Sequence, residues 1–277
     1  MQKPRKEEVA NHLDLEPRAD AGSSIGELSA SNLQAQQGII AILDALGGAD
    51  CSEEKILRFW RSRELLLDQF RRKARRFLGS NESRVTTFIF NDTVLVSYRT
   101  RKPAALRDVK NFAELIRSLA VKSLAQGILF RGAIAIGRFY VNKPTNTVMG
   151  EAVSDAAEWY NLADWIGIIT TPRATLIIQS LIEQAGNDIG RLMVDYPVPL
   201  KNRQVLSLKV VNWPKAFFVK GMTPCANGDK ARAKCLSLLA AHGVPAGTES
   251  KYFNSMAFFD HCVRLLQEQR KEKRRRN

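Results

Sequence analysis

Residues 84–98 read RVTTFIFNDTVLVSY, two runs rich in β-branched and aromatic side chains around Asn91-Asp92. Such runs, joined by two turn-forming residues, predict a β-hairpin with Asp92 at its tip. Upstream, the apolar run GIIAIL at 38–43 predicts a short buried strand that ends at Asp44. An aspartate therefore marks both the end of the first predicted strand and the turn of the hairpin.

Two long amphipathic patterns flank the hairpin. The first spans 52–78, with Ser52 as N-cap and two glutamates in its first turn, and the second spans 104–126. A strand over 128–140 follows. The resulting order, βαββαβ, is a split βαβ unit and predicts an α+β fold: an antiparallel, ferredoxin-like or polymerase-palm-like sheet with helices on one face.

Shorter patterns continue to the C-terminus and divide the chain. They predict a helix over 150–165, a strand over 166–170, a helix after Pro172, strands around 192–194 and over 205–211, and helices over 229–241 and 251–269. The chain ends in the basic tail RKEKRRRN. We expect a flexible arm over 1–27, one main domain over 28–215, and a helical extension with the basic tail over 216–277.

Composition narrows the partners and the cellular location. The 277 residues carry a net charge of +14, which favours a polyanionic ligand such as a nucleoside triphosphate. No zinc-finger or aromatic RNA-binding signature is present, so nucleic acid is not the expected partner. No apolar run reaches the ~20 residues of a membrane span, and no signal core opens the chain, so we expect a cytoplasmic protein without membrane contact. The four cysteines lack metal-ligand spacing.

Asp44 and Asp92 are the acidic residues that the predicted sheet brings together. Two neighbouring carboxylates repel each other unless a divalent cation lies between them, and oxygen ligands favour Mg²⁺ or Mn²⁺. A two-metal site for phosphoryl transfer is one interpretation. The other is structural: Asp44 ends a strand and Asp92 forms a turn.

Four motifs, in order, resemble those of the class III nucleotidyl cyclases. They are Asp44-Ala45-Leu46-Gly47, Asn91-Asp92, RGAIAIG at 131–137 and GEAVSDAAEW at 150–159. The resemblance covers residues 38–175 and implies that the main domain is a cyclase domain. It implies two Mn²⁺ or Mg²⁺ ions per site, held by the carboxylates of Asp44 and Asp92 and the carbonyl of Ala45. It also implies a homodimer with its sites at the interface.

The loop after the first motif is the expected triphosphate site. Its backbone N–H groups, at Leu46, Gly47, Gly48 and Ala49, lead into a helix N-terminus, where phosphates bind readily. The two glycines permit a close approach of phosphate to the backbone.

The chain departs from the family pattern at the positions that contact the base and the ribose and at the one that stabilises the transition state. The Asn and Arg of the fourth motif are replaced by Ser154 and Glu158, and Asn161, one turn further on, is a candidate ribose contact. Phe88 stands where adenylate cyclases have a base-reading Lys, and Thr147 where they have its paired Asp. Candidates for the missing cation are Arg131, Arg99 and Lys143.

A bulky Phe and a single hydroxyl favour a smaller base. The short FNDT hairpin at 90–93 and the degenerate fourth motif resemble those of the pyrimidine cyclases of the bacterial Pycsar antiphage systems. That resemblance implies conversion of UTP, or alternatively CTP, into a 3′,5′-cyclic monophosphate that activates a separate effector protein during infection. Three alternatives stay open: a purine cyclase, an inactive cyclase-like module that binds nucleotide or nucleic acid, and a minimal polymerase palm.

Overall fold

One sheet organises the chain in the computed structural model, which describes residues 34–46, 52–101, 103–142, 144–186, 189–218 and 227–276. Its strands are β1 (Gln34–Ala45), β2 (Val85–Phe90), β3 (Thr93–Thr100), β4 (Phe130–Asn142), β5 (Thr147–Met149), β6 (Ile168–Thr170), β7 (Met193–Pro199) and β8 (Val205–Val211). The helices are α1 (Glu53–Leu78), α2 (Leu106–Ala125), α3 (Glu151–Trp159), α4 (Pro172–Ala185), α5 (Gly228–His242) and α6 (Glu249–Arg276).

The eight strands follow the order β2-β3-β1-β4-β6-β8-β7, and β5 pairs with β4 beside this path. All pairs are antiparallel except β4 with β6. β1 lies between β3 and β4, so Asp44 has Thr93 opposite it on one side and Arg131 on the other. The predicted βαββαβ order and the α+β class are confirmed.

Alternating side chains of the strands divide the core between two faces of the sheet. On β1, Leu43 belongs to the cluster with α1, α2 and α4, whereas Ile42 belongs to the cluster with α3. On β6, Ile168 and Ile169 separate in the same way, and Ile169 packs with residues of α5 and α6. The helices of the βαββαβ unit thus share one face, and α3, α5 and α6 cover the other.

α3 and β7 differ in length from the predictions, as does β1, which begins at Gln34 and ends at Ala45. The helix predicted over 150–165 ends at Trp159, because the chain beyond it pairs with the end of β7: Ala163 bridges to Leu200, and the Asp164 N–H donates to the Pro199 carbonyl at 2.9 Å. β7 extends to Pro199, and its prolines are tolerated because β7 is an edge strand.

The remaining predictions concern the two ends of the chain. The predicted N-terminal arm lies outside the described residues. α6 continues through the basic tail as far as Arg276. None of the described helices has the length and apolar character needed to cross a bilayer.

Candidate active site

The end of β1 and the tip of the β2–β3 hairpin lie side by side. Asp44 pairs with Thr93, the first residue of β3, and the Ala45 N–H donates to the Asp92 carbonyl at 3.3 Å. This contact places the two aspartates on adjacent chain segments at one end of the sheet.

The Asp44 carboxylate is held by both of its cross-strand neighbours. Its Oδ2 accepts a hydrogen bond from Arg131 Nε at 2.9 Å and forms an ion pair with Nη2 of the same guanidinium at 2.8 Å, and its Oδ1 accepts a hydrogen bond from the Thr93 hydroxyl at 3.3 Å. The side chains of Asp44 and Arg131 are 13% and 17% exposed. The guanidinium therefore supplies Asp44 with the positive charge that a largely buried carboxylate requires.

Asp92 is in a different situation. It is half-buried, and its carboxylate has no hydrogen bond or ion pair with any residue that the structure describes. The turn itself is held from α1, because Arg63 Nη1 donates to the Asn91 carbonyl at 2.6 Å. Asn91 has a φ of +52°, a left-handed conformation that Asn adopts more readily than most residues. A fixed turn thus presents an unpaired carboxylate.

The carboxylates of Asp44 and Asp92 provide some of the oxygen ligands that a hard divalent cation needs. Within the described ranges, no three His, Cys, Asp or Glu side chains converge on one point. A protein-only cage is therefore not formed there. Mg²⁺ is commonly bound by one or two carboxylates together with water and substrate phosphates, and the pair Asp44 and Asp92 matches that pattern. The carbonyl of Ala45 is the remaining expected ligand.

A second cation, Lys201, accompanies Asp44, and the sequence patterns did not single it out. It lies in the turn between β7 and β8, where its N–H donates to the Leu162 carbonyl at 2.9 Å. Burial, and then the positive charge of Arg131, lowers the pKa of Lys201, and the charges of Asp164 and Asp44 oppose this. Arg131 is thus paired with Asp44, and Lys201 is within electrostatic range of both, without a hydrogen bond to either among the described residues. Only the fold brings Lys201 there.

The predicted triphosphate loop is described only at its first residue. The Leu46 N–H donates to the Leu129 carbonyl at 2.8 Å, as an extension of the β1–β4 ladder. This N–H is therefore already paired within the sheet, and binding of the triphosphate by the loop stays a prediction. Gly47, Gly48 and Ala49 lie outside the described residues, as does Lys143.

The two residues predicted to contact the base lie in different parts of the sheet. Phe88, on β2, is 2% exposed and packs in the cluster that includes Ala152 and Ala156 of α3. Thr147, on β5, shares a hydrogen bond of 2.8 Å with the Thr145 hydroxyl. Since β3, β1 and β4 separate β2 from β5, the two residues are not neighbours in the sheet.

The residues predicted to contact the ribose are on the outside of α3 or beyond it. Ala152 and Ala156 face the sheet, whereas Ser154 and Glu158 are exposed on the outer surface of the helix. Asn161 follows the helix end and does not share that surface. The structure thus brings Asp44, Asp92 and Arg131 together, and leaves Ser154 and Glu158 facing solvent.

Comparisons with known proteins find similarity among solved structures only. No family model matches the chain, and no curated protein does. The adenylyl cyclase CyaB from P. aeruginosa is 17% identical, with a TM-score of 0.40, over 65% of this chain and 96% of that one. An adenylate/guanylate cyclase/hydrolase from Silicibacter pomeroyi is 17% identical, with a TM-score of 0.42, over 65% and 96%.

A third structure is the catalytic core of a rhodopsin-guanylyl cyclase with converted specificity, in complex with ATPαS. It is 12% identical, with a TM-score of 0.43, over 65% of this chain and 97% of that chain. At such identities the likeness concerns the fold alone.

Proposed function

We propose that the chain is a homodimeric, divalent-metal-dependent nucleotide cyclase that converts UTP into 3′,5′-cyclic UMP and pyrophosphate. The observation that carries the proposal is the contact between the end of β1 and the β2–β3 turn, which places Asp44 beside Asp92. The four cyclase-like motifs support it: three lie on β1, the β2–β3 turn and β4, and the fourth forms α3.

The reaction forms a bond between the ribose 3′-oxygen and the α-phosphorus and breaks the bond to pyrophosphate. Mn²⁺ or Mg²⁺, held by Asp44, Asp92 and the Ala45 carbonyl, would lower the pKa of the 3′-hydroxyl and offset the triphosphate charge. The Thr93 hydroxyl orients the Asp44 carboxylate. Arg131 and Lys201 supply positive charge toward the phosphates, a role in which Glu158 cannot replace the Arg of the family motif.

The base assignment is supported by what the chain has in place of the purine-reading side chains. The buried Phe88 ring offers no hydrogen bond, and the Thr147 hydroxyl offers a single donor or acceptor. We propose that, without a Lys–Asp pair to read the edge of a purine, the site accepts the smaller pyrimidine base, with UTP preferred over CTP. By resemblance to the Pycsar cyclases, the product would activate a separate effector protein in bacterial antiphage defence.

A four-nucleotide turnover assay tests the proposal. The full chain is incubated with Mn²⁺ and each NTP, and the products are identified by mass spectrometry. We expect cyclic UMP to dominate, and we expect Asp92→Asn to abolish it while the variant remains folded. Dominant cyclic CMP, AMP or GMP would contradict the base assignment. Linked oligonucleotides would instead indicate a polymerase, and no product from any nucleotide would contradict a cyclase altogether.

A further inference from the structure

A cleft in two parts, here called the β4 cleft, lies toward the end of the sheet that is farthest from Asp44. Its lining includes Gln37 of β1 and Arg138 of β4, which face each other in the ladder as Asp44 and Arg131 do at the other end. The stretch of β1 from Gln37 to Asp44 measures about 23 Å at a rise of ~3.3 Å per residue. The β4 cleft is therefore separate from the candidate active site.

The cleft forms where the middle of β4 lacks a neighbouring strand. β1 pairs with one edge of β4, while β6 pairs with the other edge over 132–134 and β5 over 140–142. Within the described chain, no strand covers residues 135–139 on that second edge. Side chains of α4 and of the first residue of α3 flank this gap instead.

The apolar part of the cleft lies between α4, β4 and the segment before α2. Its volume is about 370 Å³, within the range of roughly 300–1,000 Å³ that is usual for small-molecule sites. Residues three and four positions apart share a helix face, which is why α4 contributes several side chains to it. The side chains that line this part alone are Pro103, Ala104, Ile136, Ile177, Ser180 and Leu181. Apart from Ser180 they offer only hydrocarbon, so this part favours an apolar group.

The polar part has the same volume of about 370 Å³ and is lined by Gln37, Arg138, Tyr140, Glu151 and Arg173. Arg173 and Glu151 form an ion pair that links α4 to the start of α3. Arg138 is exposed, and its guanidinium has no ion pair or hydrogen bond with any residue that the structure describes. The polar part thus has one positive charge that no described carboxylate offsets.

The two parts belong to one cleft, because Gln37, Gly137 and Arg173 line both of them. A ligand that fills the whole cleft therefore needs hydrocarbon at one end and a negatively charged, hydrogen-bonding group at the other.

We propose that the β4 cleft binds a small amphipathic carboxylate, with its hydrocarbon body in the apolar part and its carboxylate on Arg138. Burial of the hydrocarbon supplies affinity, and a planar guanidinium can donate two parallel hydrogen bonds to a carboxylate. One unpaired cation matches one negative charge, whereas the several charges of a nucleotide would also meet Glu151. Among the described residues that line the apolar part, none has an aromatic ring on which a base could stack.

Isothermal titration calorimetry of the full chain tests the proposal with pairs of ligands that differ in charge. Hexanoate is compared with hexanol, and cinnamate with cinnamyl alcohol, which distinguishes an aliphatic acid from an aromatic one. A hydrogen bond to a charged group contributes about tenfold or more in affinity, so the acid that binds should bind at least about tenfold more tightly than its alcohol. Arg138→Gln should remove that advantage. Arg264→Gln, which changes an exposed arginine of α6 that does not line the cleft, should keep it.

A second matched pair of variants tests the place of binding. Ser180→Phe adds a ring to the lining of the apolar part, and Gln179→Phe adds the same ring to α4 at an exposed position that does not line the cleft. Ser180→Phe should weaken binding of the acid by at least about tenfold, because the ring takes the space of the hydrocarbon body. Gln179→Phe should bind as the wild type does. Ser180→Leu and Gln179→Leu provide the same comparison if a Phe variant does not fold.

Four results would overturn the proposal. Neither acid binds to the wild type, the alcohols bind as tightly as the acids, or Ser180→Phe and Gln179→Phe weaken binding equally. The fourth is that Arg138→Gln or Ser180→Phe converts a dimer into a monomer in sedimentation, which would assign the cleft to contact with a second copy of the chain. The proposal does not rest on cyclase activity, since nucleotide turnover plays no part in these measurements.

Discussion

The Asp44→Asn substitution separates the structural contribution of this carboxylate from its proposed catalytic one. Asn keeps the size of the side chain and leaves an oxygen for the Thr93 hydroxyl. It removes the negative charge that accepts a hydrogen bond from Arg131 Nε and forms an ion pair with Nη2. The guanidinium, only 17% exposed, then remains with no opposite charge beside it on β1.

The loss of stability can be estimated from the strength of a hydrogen bond between charged groups that are partly exposed to solvent. Hydrogen bonds to charged groups contribute about 1.5–3 kcal/mol, and the residual exposure of both side chains reduces this. We expect Asp44→Asn to lower the free energy of unfolding by about 1.5 kcal/mol. For a chain of this size that corresponds to a Tm lower by about 3 °C.

Urea unfolding of the metal-free protein, combined with turnover of UTP, measures both effects. Asp92→Asn is the matched control: it changes the second proposed metal ligand, whose carboxylate has no described partner, so stability should stay within about 0.5 kcal/mol while activity is lost. The double variant Asp44→Asn/Arg131→Gln should be less destabilised than the sum of its single changes. If Asp44→Asn unfolds like the wild type, or Asp92→Asn is equally destabilised, the assigned ion pair is refuted.

Two further predictions concern stability. Gly38→Ala should cost about 3 kcal/mol, because the new Cβ would lie 2.0 Å from the Tyr98 carbonyl oxygen, whereas Gly137→Ala, on the neighbouring strand, meets nothing closer than 3.5 Å and should be tolerated; equal midpoints in urea would contradict this. Burial lowers the pKa of His242 from its ordinary 6.5, so the unfolded chain binds the proton more readily and stability should fall as the pH drops below about 6.5. Unfolding at pH 7.5 and 5.5 should show a smaller difference for His242→Gln than for the wild type; an identical difference would assign the pH dependence elsewhere.

Local patterns were sufficient for most of the fold. The hairpin at 84–98 combines β-rich runs with a two-residue turn, and the helix at 53–78 has a continuous apolar stripe, so neighbours in sequence determine each element. The antiparallel order then follows from short connections, which is why Asp44 could be placed near Asp92 without coordinates.

Features that depend on contacts between distant parts of the sequence could not be predicted from local patterns. α3 ends early because Ala163 and Asp164 pair with β7, and no signal within 150–165 indicates that partner. The loop pattern indicated that the Leu46 N–H is unpaired, whereas in the structure it donates to the Leu129 carbonyl next to β4. Lys201 reaches the site from a distant hairpin, and a single lysine in a basic chain carries no signal of its own.

Formal charges around the candidate site indicate what kind of ligand it suits. Asp44 and Asp92 contribute two negative charges, and Arg131 and Lys201 contribute two positive ones, one of them already bound to Asp44. A site built for a bare divalent ion would have surplus negative charge, since carboxylates must offset the charge of the metal. This set is balanced instead, with acids for a cation and bases for an anion. This balance is what the proposed metal–triphosphate substrate would require, because phosphates bound by Arg131 would free Asp44 for the metal.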